Sequence, residues 1–188
     1  MKNRIILLLS VILTTMISCR TQSVKEVDIC IYGGTSAGVI AAYTAQQSGK
    51  SVLLIEPGRH LGGMSSGGLG FTDIGNKYVV QGLALDFYRR LGTHYGKLEQ
   101  WIFEPSVAET IFKDYIKRAG IEVWYENRLS DVEKQRNSIT TITLEDSKHP
   151  NHTTNRKVRA KVFIDCSYEG DLMAKSGVSY IVGREANS

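Results

Sequence analysis

With 188 residues, 42% of them hydrophobic and 22% charged, the chain has the composition of an ordinary globular protein and is long enough to bury one sizeable core. That balance excludes disordered and collagen-like classes. A formal net charge of +4, with no basic run, gives no electrostatic footprint for a nucleic-acid partner.

The elements follow in chain order. Lys2 and Arg4 precede an apolar run, Ile5 to Ile17, that is shorter than the ~20 residues a membrane-spanning helix needs. Residues 1–18 therefore read as an export signal. Met16-Ile17-Ser18-Cys19 resembles the lipobox of bacterial lipoproteins, which implies lipidation of Cys19, membrane contact through that anchor only, and a location on the periplasmic side or at the outer membrane. A plain signal peptide cleaved nearby is the alternative. Residues 19–26 then form a short linker, and 27–188 a single domain.

Val27 to Tyr32 is a short apolar run ending at Gly33-Gly34, and Ala37 to Ser48 has small and apolar residues at helical spacing before Gly49. Val52 to Ile55 is a second apolar run, closed by Glu56 and Pro57. Together they form a βαβ unit of the dinucleotide-binding kind. Met64 to Asn76 is a glycine-rich loop, long enough to be functional in a compact domain. Apolar residues from Val79 to Leu91 recur at the spacing of an amphipathic helix. Ser106 and Glu109 match a capping box and predict a helix starting at Ser106, stopped by Gly120 before a strand at Ile121 to Tyr125. Two more strands are predicted near Leu129 to Glu133 and Ile139 to Leu144, then an exposed loop from Glu145 to Lys157. In the strand Val158 to Ile164, the consecutive apolar residues Val162-Phe163-Ile164 predict burial on both faces, as in a parallel sheet. A short helix follows at Leu172 to Ser176. Cys30 and Cys166 lie in apolar contexts and read as small buried hydrophobes, although an oxidising compartment would permit a bridge between them.

Two chemistries fit Gly33-Gly34-Thr35-Ser36-Ala37-Gly38. In one, the glycines let the backbone approach a pyrophosphate held at the helix N-terminus. In the other, Gly34-Thr35-Ser36-Ala37-Gly38 is a nucleophile elbow with Ser36 as the nucleophile of a serine hydrolase. Glu56 favours the first, because about 20 residues after the turn a carboxylate can accept the hydroxyls of an adenosine ribose. The hydrolase would also need an oxyanion loop upstream, where this chain has only the export segment. Gly62-Gly63-Met64 supplies a second close-approach glycine pair at the same sheet edge. Asp165 and Glu169-Gly170-Asp171 place carboxylates after a buried strand, where α/β sheets bind ligands, and Asp171 is suited to accept from a ribityl hydroxyl. As a metal site that acidic group is weak, and the spacing of His94, His149 and His152 does not read as structural zinc.

GGTSAGVIAA, EPGRHLGGMSSGGLGFTDIGN, FEPSVAETIF and KVFIDCSYEGDLMAKSGVSYIVGRE, in that order, resemble the FAD-dependent oxidoreductase family of the glutathione-reductase-like fold, found among exported bacterial proteins and sometimes described as xanthan lyase-like. The resemblance implies an α/β, FAD/NAD(P)-binding Rossmann-like three-layer fold with a β-meander at Ser130 to Leu144. It assigns Gly33, Gly34, Ser36, Ala37 and Gly38 to the pyrophosphate of a noncovalent FAD and Glu56 to the adenosine ribose. Gly62, Gly63 and Met64 would lie along the middle of the cofactor toward the flavin, Asp171 by the ribityl chain, and the backbone near Leu129 against the adenine. Thr35 departs from the general fingerprint, which has glycine there. His60 is a candidate for covalent flavin attachment, though a histidine in a glycine loop is more commonly a hydrogen-bonding residue. No catalytic residue is assigned. The expected activity is oxidation or reduction of a small-molecule substrate, with scavenged carbohydrates among the classes export suggests. The last residues fall inside a family motif, so the domain reads as truncated at its C-terminus, and a nonenzymatic fragment holding only the ADP part of FAD is the competing expectation.

Overall fold

The computed structural model describes residues 24–150 and 155–183. Residues 1–18, read above as an export signal, and Cys19 lie outside the described residues. β1 (Val24–Tyr32), β2 (Val52–Glu56), β3 (Glu122–Tyr125), β4 (Asn127–Gln135), β5 (Ser138–Asp146) and β6 (Arg156–Asp165) form one six-stranded sheet in the order β3-β2-β1-β6-β5-β4. The pairs β1–β2, β2–β3 and β1–β6 are parallel, whereas β4–β5 and β5–β6 are antiparallel. Helices α1 (Ser36–Gln47), α2 (Gly82–His94), α3 (Pro105–Ala119) and α4 (Asp171–Lys175) complete the description.

The alternation of side chains along β1 and β2 builds a core on each face of the sheet. Ile31, Val52 and Leu54 join Val39 and Ala42 of α1 and Ala108, Phe112 and Tyr115 of α3. Cys30, Tyr32, Leu53 and Ile55 point the other way, against Leu129, Ile142 and Leu144 of the β4–β5 hairpin and Leu172 of α4. Helices, parallel strands and meander thus make the three layers. Each fully buried aliphatic side chain contributes about 1.5–3 kcal/mol, so the two cores together hold the parallel strand ends in fixed positions.

The elements occur where the periodicity places them, with local differences. β1 begins at Val24, paired with Lys157, so residues 24–26 belong to the sheet and not to a linker. α2 starts at Gly82, because Lys77–Val79 forms a separate 3-10 turn whose Tyr78 N–H is capped by Asn76. The capping box is not made: Pro105 takes the first turn of α3, where its missing N–H is harmless, and Glu109 bonds instead to His60 and Lys113. Val162 is 50% exposed rather than buried on both faces. The reason is register. β5 pairs with β6 only at Arg156–Arg159, whereas β1 follows β6 as far as Asp165, so beyond Arg159 the outer edge of β6 has no strand beside it among the described residues.

Cys30 and Cys166 are both free. Cys30 faces the meander core and Cys166 packs against the helix core, so the sheet separates them. Burial pushes the Cys30 thiol up to about 12.

Phe112 links packing to the site. It stacks on Phe87 of α2 with ring centroids 4.7 Å apart, and a Cβ at Gly62 would come within 2.3 Å of its ring. Phe112→Ala is expected to lower the stability of the domain by about 3–5 kcal/mol in urea unfolding. A loss under 1 kcal/mol would show that the ring carries little of the helix–sheet packing.

Candidate cofactor site

The parallel strands β1, β2 and β6 end at one edge, and three loops meet there. The first, Gly33 to Thr35, is buried, and Gly33 has φ +101°, in the region open to glycine. A Cβ at Gly38 would sit 1.9 Å from the Gly33 carbonyl oxygen, so α1 can lie this close to the turn only with glycine there. Thr35 is the N-cap of α1: its hydroxyl accepts from Gly38 N–H at 3.2 Å and donates to the Cys166 carbonyl at 2.9 Å. Ala37 is exposed, and its N–H has no acceptor among the described residues. It is a donor at the positive end of a 12-residue helix, which suits a phosphate.

Glu56 closes one side of this turn. Its carboxylate accepts from Gly34 N–H at 2.7 Å and from Gly58 N–H at 2.6 Å. A Cβ at Gly34 would sit 2.7 Å from Glu56 Oε2, so the approach is again one only glycine permits. Burial raises the Glu56 pKa, against the two amides and the nearby His60, which lower it. The His60 ring is held by Glu109 at 3.0 Å. It therefore lies at the Glu56 end of the site, a position that suits a loop histidine and not an attachment point for a flavin.

The second loop, Gly62 to Ser66, is anchored to the first by Gly62 N–H donating to the Gly34 carbonyl at 2.8 Å. Gly62 and Gly63 have φ of +104° and +56°. The Ser66 hydroxyl donates to the Leu61 carbonyl at 2.5 Å and fixes the turn from inside. A groove of about 330 Å³ runs from Ser36 and Ala37 past Ser65 to an apolar wall of Leu83, Phe87 and Phe112.

The third loop follows β6. Asp165 is used internally, accepting from the Ser167 N–H and hydroxyl and from Met173 N–H. Asp171 differs: its N–H donates to the Ser167 hydroxyl, while its carboxylate takes no hydrogen bond among the described residues. Of the two aspartates, Asp171 is the one left for a ligand. The Tyr168 hydroxyl accepts from Met64 N–H at 2.7 Å, joining the third loop to the second.

Gly33, Gly34, Gly62, Gly63 and Met64 lie on the loops that meet at this one edge, with Ser36, Ala37 and Gly38 in the first turn of α1, Glu56 at the end of β2 and Asp171 at the start of α4 beside them. Leu129 lies on β4, and its N–H donates to the buried Tyr32 hydroxyl at 3.1 Å, so that one donor is used within the fold. Burial, with the charges of Asp171, Asp165 and Glu56, outweighs the Leu129 N–H and pushes Tyr32 up to about 12. The hydrolase reading gains no support, since no histidine or carboxylate bonds Ser36 among the described residues. No cluster of metal-ligating side chains is present among the described residues. The sequence reading gave Thr35 no capping role and Tyr168 no role. A threonine just before a helical run is an N-cap signal; nothing local marks Tyr168, whose partner lies 104 residues away.

A buried glycine turn, a free helix-terminal donor and a ribose-suited carboxylate at the end of the second parallel strand define a dinucleotide-binding α/β domain. The profile of the FAD dependent oxidoreductase family matches residues 28–188, and the chain belongs to that family. FAD is accordingly the cofactor of the site, and the glycine cradle fits it. The chain is 25% identical over 156 residues to the thiamine thiazole synthase of Pyrococcus horikoshii and 27% identical over 157 residues to that of Pyrococcus abyssi, covering 80% of this chain in each case. It spans 60% of the length of these curated relatives. Among solved structures, THI4 of Thermovibrio ammonificans superposes with a TM-score of 0.59 at 22% identity, over 93% of this chain and 71% of that one.

Glu56 gives the site a pH dependence of definite sign. Its pKa in the folded chain is raised, so its contribution to stability is full at low pH and is lost as pH rises through the folded value. Ribose hydroxyls donate to the ionised carboxylate, so binding favours the charged form. ADP binding followed by calorimetry is expected to tighten as pH rises through the Glu56 pKa, and Glu56→Gln to abolish that dependence while weakening binding about tenfold or more. An unchanged pH profile in Glu56→Gln would remove Glu56 from the ribose site.

Proposed function

We propose that this chain is the cofactor-holding part of an exported oxidoreductase of the glutathione-reductase-like type. It binds FAD noncovalently, with the pyrophosphate at Gly33, Gly34, Ser36, Ala37 and Gly38, the adenosine ribose on Glu56, the ribityl chain by Asp171, and the flavin beyond Gly62, Gly63 and Met64. The observation that carries this reading is the Glu56 carboxylate spanning the Gly34 and Gly58 amides beside the first turn of α1. It puts an acceptor for ribose hydroxyls next to a donor for phosphate, the two chemistries joined in an ADP group. When bound, the flavin supplies the redox chemistry, taking electrons from a small-molecule substrate or returning them. The residues of this chain bind and orient the cofactor, and the groove beside α2 leaves an apolar face next to it. At the adenine end, the backbone near Leu129 is the expected contact for the base, by a group other than the Leu129 N–H, which bonds to Tyr32.

The activity of the whole protein on a substrate, with carbohydrates as the class suggested by export, belongs to this proposal. So does placement at the periplasmic side or outer membrane through lipidated Cys19. The xanthan lyase-like character rests on the four sequence blocks alone.

Purified protein reconstituted with FAD is expected to show the visible flavin absorbance band and to release the flavin on denaturation. Protein that stays colourless under FAD would defeat the cofactor reading for this chain, and flavin fluorescence remaining on the denatured band would defeat the noncovalent part. Expressed from Met1 in a lipoprotein-processing bacterium, the chain is expected to take up radioactive fatty acid, and Cys19→Ser to lose it; no label on the wild type would mean no lipid anchor.

A further inference from the structure

We propose that Tyr168 is a positioning residue for the flavin half of the cofactor, clamping the second glycine loop through a hydrogen bond from Met64 N–H to its hydroxyl. The proposal rests on the FAD reading and adds a residue for which no local sequence pattern gives a role. Tyr168 leaves the third loop two residues after Cys166, whose carbonyl is tied to the cap of α1 by Thr35. From that fixed root the side chain crosses to the second loop, where its hydroxyl lies 2.7 Å from Met64 N.

Gly63 shows that the loop is built around this hydroxyl. Its φ is +56°, and a Cβ there would come within 2.0 Å of the Tyr168 oxygen and 3.2 Å of Thr35 Cβ. Gly63 is thus held between the α1 cap and the Tyr168 hydroxyl, and a side chain there would push the tyrosine off its bond to Met64. The hydroxyl has capacity to spare. It accepts from Met64, while its own proton has no acceptor among the described residues and is available to a ligand oxygen. Tyr168 is 54% exposed and Met64 53%, so the bond spans the loops at an open, solvent-facing place and not in a core. Glu56 and the Gly33–Gly38 turn hold the ADP end without help from Tyr168. Loss of the clamp should therefore divide the cofactor in two: the ADP half holds and the flavin half loosens.

The test compares FAD with ADP on the full chain. Tyr168→Phe is expected to weaken FAD roughly three- to tenfold, the range of one hydrogen bond, to shift the visible band of the bound flavin, and to leave ADP affinity unchanged. Gly63→Ala is expected to weaken FAD in the wild type and to cost less in the Tyr168→Phe background, where the clash with the hydroxyl is gone. Equal FAD affinity in Tyr168→Phe and wild type overturns the proposal. So does an equal loss of FAD and ADP, which marks a general disturbance of the fold. A wild type that binds ADP but not FAD, or neither, overturns the FAD reading and this proposal with it. Should Tyr168→Phe not fold, amide exchange in the wild type decides: Met64 N–H is expected to be protected, and exchange as fast as that of an open loop overturns the clamp.

Discussion

The close approach of α1 to the turn after β1 governs the rest of the molecule. It brings the Gly38 Cα so near the Gly33 carbonyl that no side chain fits, and this proximity lets a single threonine both cap the helix and bond to the loop after β6. If α1 were lifted by one methyl group, the Thr35 bridge to Cys166 would open and the Ala37 donor would move away from the Glu56 carboxylate. Much of the sheet chemistry follows from holding this one corner tight. The core beneath it is built accordingly, with Val39 and Ala42 of α1 fully buried over Ile31 and Leu54.

The site is assembled from segments that are distant along the chain. Glu56 bonds across 22 residues, Thr35 across 131 and Tyr168 across 104. Long-range pairings of this kind form only after the parallel strands are aligned, so the binding edge is a product of the completed sheet. The two aspartates after β6 show how such an edge divides its work. Asp165 accepts from two donors of Ser167 in its own loop and from Met173 N–H of α4 and fixes the loop's shape, whereas Asp171, six residues further on, has an unbonded carboxylate among the described residues.

How much of this was legible in the sequence follows from how local each signal is. The strands, α1 and the glycine turn were readable because periodicity and turn chemistry act within a few residues. Glu56 was readable because its distance from the turn is set by the length of one helix and one strand. The capping box at Ser106 misled, since Pro105 competes for the same turn and the carboxylate that would have capped the helix is drawn to His60 and Lys113. Burial of Val162 was misjudged because it depends on which strand lies alongside, a property that no window of sequence contains. The bond from Leu129 N–H to Tyr32 joins residues 97 apart and has no sequence signature.

The unpaired outer edge of β6 has a consequence for the chain in solution. From Lys161 to Asp165 the strand carries backbone donors and acceptors on that side with no partner strand among the described residues, beside the partly exposed Val162 and Phe163. Such an edge is a template for association with another chain, and proteins blunt it with charge. Lys161 is the one charged side chain between Ala160 and Ile164, and it is highly exposed while pairing with Asp28. On this stretch of edge the charge is carried by Lys161, on the strand itself, and by Asp165 at its end, the two charged side chains between Ala160 and Cys166.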